Sequence, residues 1–127
     1  KIPGCFFLSE NELQGCVETI YSTYYAFAAL KRDGSVVTWG LDYAGGCYSS
    51  SVLYALKKNV KTIYSSAGAF AALKSDGSVV TWGDEDFGGN SSEVEQKLQG
   101  GVETIYSTEG AFTALKEDGS VVTWGLF

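Results

Sequence analysis

The chain has no histidine among its 127 residues. That absence removes the most frequent general base and the most frequent metal ligand. It also excludes the Ser-His-Asp and Cys-His nucleophile arrangements. Proline is almost missing as well, with Pro3 alone, while 45% of residues are hydrophobic and 14% aromatic; such a composition excludes a disordered chain. No apolar run approaches the roughly 20 residues of a membrane-spanning helix, so direct membrane insertion is not expected. Cysteine is sparse: Cys5, Cys16 and Cys47 are odd in number and lack CxxC spacing, which fits neither a zinc pattern nor a complete disulfide framework. Basic residues are outnumbered, 9 Lys and Arg against 15 Asp and Glu, for a net charge of −6. Nucleic acid and anionic membranes want a basic face, so neither is an expected partner. No pattern points to a cofactor or a metal. The chain begins at Lys1 without Met and reads as processed or partial, so nothing in it speaks to a compartment.

What is present is a repeat. The run AFAALKRDGSVVTWG at 26–40 returns as AFAALKSDGSVVTWG at 69–83 and AFTALKEDGSVVTWG at 111–125. Trp39, Trp82 and Trp124 stand 82−39=43 and 124−82=42 residues apart. A fixed period of this size marks a repeat architecture, with units at about 1-40, 41-83 and 84-127. Each unit holds VETIYS or VKTIYS (17–22, 60–65, 102–107), rich in the β-branched and aromatic residues of strands. A small-residue linker and the apolar AFAALK run follow. Next comes Asp33-Gly34, Asp76-Gly77 or Asp118-Gly119, a dipeptide that signals a hairpin and predicts a type I′ turn with positive φ at both residues. VVTW is the third strand. After each Trp-Gly the chain turns polar, with glycine pairs at 45–46 and 88–89. Ser92 and Glu95 have the spacing of a capping box. Val94 and Leu98, like Val52 and Leu56, stand four apart, as one buried stripe of a one-to-two-turn helix requires. A fourth short strand in this segment is left open by the pattern.

The strands barely alternate: FAAL and VV are apolar on both faces, as in a sheet buried on both sides. Short antiparallel strands stacked face to face are the blades of a β-propeller. The expected class is therefore all-β, three propeller blades forming part of a larger propeller.

Val-x-x-Ile, a small turn, A-L-K-x-D-G-x-V-x-x-W-G and a polar loop with a glycine pair resemble the regulator-of-chromosome-condensation repeat. The resemblance covers essentially the whole chain and is closest to compact versions such as the propeller-type β-lactamase inhibitory protein. It implies a propeller, typically of seven blades, and functions as varied as GTPase exchange, enzyme inhibition, ubiquitin-ligase support and light signalling. Fold therefore does not give function. Two departures count against the exchange-factor role. The family's usual histidine falls on Ala26, Ala69 and Ala111, and no insertion is long enough to act as a wedge.

Three blades do not close a ring of the usual four to eight. Bare end faces would be large apolar patches, so further repeats, a protein partner or self-association is expected to cover them. A two-fold pair of chains would give six blades. Val122→Asp is expected to disrupt assembly if Val122 faces the open end. Cys5 and Cys47 share a repeat position and are expected to lie too far apart to bridge; Cys5–Cys16 is the one intrachain pair considered. The acidic loop Asp84-Glu85-Asp86 with Asn90 reads as solvated rather than as a cation site. Tyr21, Tyr64 and Tyr106 recur at one position and are expected to pack between blades with their hydroxyls at a polar edge. Tyr24, Tyr25 and Tyr48 break the repeat and are the candidate partner-binding residues. The expected function is a non-enzymatic protein-interaction scaffold or peripheral subunit. The alternative is a lectin-like module that stacks glycans on rim aromatics.

Overall fold

The computed structural model describes residues 17–46 and 48–126. The chain forms three sheets of three antiparallel strands each. The first holds β1 (Val17–Ser22), β2 (Ala26–Lys31) and β3 (Val36–Gly40). The second holds β4 (Val60–Ser65), β5 (Ala69–Lys74) and β6 (Val79–Gly83). The third holds β7 (Val102–Ser107), β8 (Ala111–Lys116) and β9 (Val121–Gly125). The middle strand is the AFAALK run in each, and its pairing is the same three times: Phe27 opposite Trp39, Phe70 opposite Trp82, Phe112 opposite Trp124. Between blades, β1, β4 and β7 approach one another directly, while the outer strands are bridged by the connecting segments. This is the all-β propeller arrangement that the repeat predicts.

No fourth strand is present among the described residues. The connecting segments are helical instead: α1 (Ser50–Ala55) between the first two sheets, and a 3-10 helix (Ser92–Leu98) between the second and third. Both put their apolar stripe inward, Val52 and Leu56 onto one core cluster and Val94 and Leu98 onto the other. The capping box is not formed. Ser91 occupies the cap position of the 3-10 helix without a side-chain hydrogen bond, because the tighter winding changes which amides are orphaned.

The Asp-Gly hairpins also differ from the type I′ expectation. Gly34, Gly77 and Gly119 have φ of 83°, 84° and 89°, but the aspartates before them are not in the left-handed region. Gly34 N–H donates to the Lys31 carbonyl and Lys31 N–H to the Ser35 carbonyl. That is a type I turn closed by a left-handed glycine, the three-residue hairpin loop. The aspartate is free to serve the turn: Asp33 Oδ1 accepts from the Ser35 amide at 2.9 Å and its hydroxyl at 2.6 Å, with the same pair at Asp76–Ser78 and Asp118–Ser120. The serine hydrogen bonds, side chain first and then backbone, hold all three carboxyls below their ordinary range. A depressed folded-state value means that this stabilisation is complete above the ordinary aspartate value of about 3.9 and is lost as pH falls through the lower folded value. Thermal melts should therefore be flat from neutrality to about pH 5 and fall below about pH 4. In the triple variant S35A, S78A, S120A the acid slope should shrink; an unchanged slope would assign it to other carboxylates.

The core lies between blades. One cluster joins Ala26, Ala28, Leu30 and Val36 of the first sheet to Phe70, Ala72 and Trp82 of the second, and another joins the second to the third in the same way. Tryptophan indoles lock the stack: Trp82 Nε1 donates to the Gly45 carbonyl at 3.2 Å and Trp124 Nε1 to the Gly88 carbonyl at 3.1 Å. Tyr21 and Tyr64 pack between blades, their hydroxyls 3.3 and 3.2 Å from Thr62 and Thr104 of the next blade. Tyr106, at the end of the stack, stays 61% exposed. Val122 is 5% exposed and packs inward on the second blade, whereas its neighbour Val121 is 59% exposed. The side facing the open end is thus Val121, not Val122, because successive strand residues point to opposite faces. The cysteine expectations concern Cys5, Cys16 and Cys47, which lie outside the described residues.

Candidate interaction surface

The β1–β2 turn and its counterparts sit on one rim of the blade stack, together with the loops that follow each Trp-Gly. Backbone hydrogen bonds tie this rim from blade to blade: Tyr24 N–H donates to the Ala67 carbonyl, and Ala67 N–H to the Glu109 carbonyl. Tyr24, Ala67 and Glu109 are the same repeat position. On this scaffold the first blade alone presents adjacent tyrosines. Tyr24 and Tyr25 are 63% and 66% exposed, with ring centroids 6.5 Å apart and planes at 87°.

Thr23 fixes the turn beneath them. Its Oγ1 donates to the Ala44 carbonyl at 2.8 Å and accepts from the amides of Tyr25 and Ala26. Ser66 plays the same part in the second blade, donating to the Phe87 carbonyl. The hydroxyl thus satisfies the turn amides and staples the turn to the post-Trp loop. At the Tyr25 position the second blade has Gly68, where a Cβ would come within 2.5 Å of the Phe87 ring. The residue matching Phe87 in the first blade is Ala44, five after Trp39 as Phe87 is five after Trp82. The pairs Tyr25–Ala44 and Gly68–Phe87 are therefore alternative fillings of one space. The small Ala44 lets position 25 carry a large side chain. This exchange was readable from the repeat alignment by comparing the two positions together.

Across the rim, the Glu109 carboxylate holds the Tyr24 phenol above its ordinary range, first by its charge and then by accepting the phenol's hydrogen bond. Glu109 thereby joins the surface as a residue the sequence did not single out. E109Q should bring the Tyr24 titration down toward the ordinary tyrosine value of about 10, measured by NMR of ring-labelled tyrosine. No movement would separate the two side chains.

Tyr48 is not part of this surface. It is half-buried in the core cluster between the first two blades, edge-on to Trp82 at 6.1 Å and 83°. The tryptophans offer no stacking face where blades meet: Trp82 and Trp124 are 3% and 4% exposed. The acidic loop is tied up locally, with Asp84 Oδ1 accepting from the Asp86 amide and Asn90 Oδ1 from the Ser92 amide. A groove of about 300 Å³ runs beside it, lined by residues that include Glu85, Asp86, Glu93, Thr123 and Trp124. Among the described residues no three acidic or cysteine side chains gather as a metal would need.

No family model matches the chain, and no curated protein matches it. Solved structures do. Prp20p from Saccharomyces cerevisiae, described with its binding to Gsp1p and histones, superposes with a TM-score of 0.61 at 20% identity over 87% of this chain. Yeast RCC1 (Prp20), bound to Kap60, gives 0.57 at 22% over 86%. Human WBSCR16 gives 0.59 at 20% over 86%. The chain spans about a third of the length of these proteins, 31%, 29% and 34% respectively. The resemblance read from the repeat thus holds at the level of the fold: this chain folds as three consecutive antiparallel blades like those of these β-propellers.

Proposed function

We propose that the chain is a non-enzymatic protein-interaction module, a scaffold or peripheral subunit whose contact surface is the Tyr24–Tyr25 turn. The observation that carries this reading is a rigid, exposed aromatic pair at the one rim turn that departs from its repeat. Aromatic anchors on a preorganised backbone are what binding hot spots are made of. Glu109 beside the pair, on a chain of net charge −6, favours a partner segment carrying Arg or Lys, which would meet both a carboxylate and ring faces. Prp20 structures, of the same fold, are described with Gsp1p, histones and Kap60, so protein partners suit this architecture. A chain without histidine, with its three hairpin aspartates engaged in turns, supports binding rather than catalysis.

Crosslinking pull-downs should recover proteins whose crosslinks map to the 23–26 turn, and the double variant Y24S, Y25S should lose them, with affinity falling roughly 30-fold or more for a hot spot of about 2 kcal/mol. Partners retained by the double variant would move the surface elsewhere. Binding on a glycan array, lost in the same variant, would replace the protein reading with the lectin-like one.

A further inference from the structure

The two seams between blades differ in one ring. At the first seam Tyr48 is half-buried on the core cluster and meets Trp82 edge-on, with centroids 6.1 Å apart and planes at 83°. Tyr48 is two residues after Gly46, and Ser91 is two after Gly89. Ser91 therefore stands at the Tyr48 position of the next unit, as Trp124 stands at the Trp82 position. At the second seam the repeat thus supplies no such ring. Ser91 keeps its hydroxyl 2.9 Å from that of Thr81 in its own blade. Both Ser91 and Trp124 line the groove of about 300 Å³. Phe87 does not take the place of the ring: it lies against Gly68 and is not among the groove's walls. Those walls include the exposed Glu85, Asp86 and Glu93, and no Lys or Arg.

We propose that this groove docks a peptide segment of a partner protein, with a tyrosine-like ring beside Trp124 and a neighbouring lysine or arginine against Glu85, Asp86 and Glu93. The chain itself supplies the template for the ring, since Tyr48 occupies the matching place at the first seam. Trp124 is 4% exposed and offers no face for stacking, so the ring enters edge-on, as Tyr48 meets Trp82. Edge-to-face contact is a preferred geometry of aromatic pairs, because a positive ring edge meets a negative ring face. The carboxylates select what flanks the ring. With no basic residue among the walls to neutralise them, they attract a cationic segment and repel an acidic one. The volume is at the lower end of sites that enclose a ligand, which suits one side chain and part of the next. Neither Tyr24 nor Tyr25 lines this groove, so the site is independent of the rim turn.

The probe is the tripeptide Lys-Tyr-Lys, acetylated and amidated, titrated into the isotope-labelled chain. NMR resolves the indole N–H signals of Trp39, Trp82 and Trp124. The Trp124 signal should shift and saturate, while that of Trp82, whose neighbouring place Tyr48 holds, should stay. Lys-Ala-Lys should bind roughly tenfold more weakly, and Glu-Tyr-Glu should leave the Trp124 signal unmoved. Ser91→Tyr should fill the groove from within and abolish the shift. The variant Y24S, Y25S should leave the shift intact, which separates this site from the rim turn. If S91Y fails to fold, the triple variant E85Q, D86N, E93Q, changed only at exposed side chains, should weaken Lys-Tyr-Lys by roughly tenfold. An unmoved Trp124 signal overturns the proposal. So do equal affinities for Lys-Tyr-Lys and Lys-Ala-Lys, binding that survives in folded S91Y, or a triple variant that binds like the wild type.

Discussion

Phe70→Ala is expected to destabilise the protein by about 4 kcal/mol, the usual cost of emptying a buried phenylalanine site. Phe70 is fully enclosed, 0% exposed, its ring 5.3 Å from that of Trp82 and packed in the cluster between the first two blades. The backbone there cannot collapse into the gap, because Gly45 and Trp82 are tied across it by the indole hydrogen bond. Urea denaturation at one fixed protein concentration measures the cost. Phe27→Ala, the same change at the same repeat position, should cost the blade only about 1 kcal/mol, since Phe27 remains 44% exposed. Equal losses for the two variants would mean that Phe27 is packed as tightly as Phe70.

Gly88→Ala should cost about 3 kcal/mol, from about 1–2 for a side chain in the left-handed region and the rest from overpacking. Gly88 has φ of +100°, and a Cβ there would lie 2.5 Å from the Phe112 ring edge and 2.7 Å from its next carbon. An aromatic ring locked beside Trp124, 5.6 Å away, cannot move aside cheaply. Gly101 separates the two contributions. Its φ is +74°, but a Cβ would meet only the flexible end of Lys116, at 3.5 Å. Gly101→Ala should therefore cost about 1 kcal/mol. Gly101→Asn should be milder still, because Asn59 holds φ of 66° at the matching position, as asparagine does more readily than alanine. If Gly88→Ala proved no worse than Gly101→Ala in thermal melts, the close approach to Phe112 would be the wrong explanation.

The hairpin register was legible because Phe and Trp sit at fixed offsets from an Asp-Gly turn, and all three copies pair alike. The turn's type was not. Asp-Gly suits either a two-residue or a three-residue loop, and the choice falls to the serine that follows, whose amide and hydroxyl engage the aspartate. The helical connections were visible in their four-residue apolar spacing. Their winding was not, since Ser92–Leu98 is pulled into a 3-10 turn while Ser50–Ala55 stays α-helical. Of the three candidate tyrosines, only Tyr24 and Tyr25 are brought together. Tyr48 has the composition of a rim residue but the address of a core one, because it lies between blades beside Trp82.

The sequence alone determined the architecture. A tripled pattern that is apolar on both strand faces admits few folds, because every face must find another face. What it could not determine is which side of each strand meets which neighbour. FAAL and VV are apolar in both directions, so periodicity carries no sign, and a single-residue difference separates buried Val122 from exposed Val121. Only the stacking of whole sheets assigns the bulky side to one neighbour and the small side to the other. The same stacking gives the rim its surface. Glu109 reaches Tyr24 from two blades away, a proximity that no local spacing in the chain encodes.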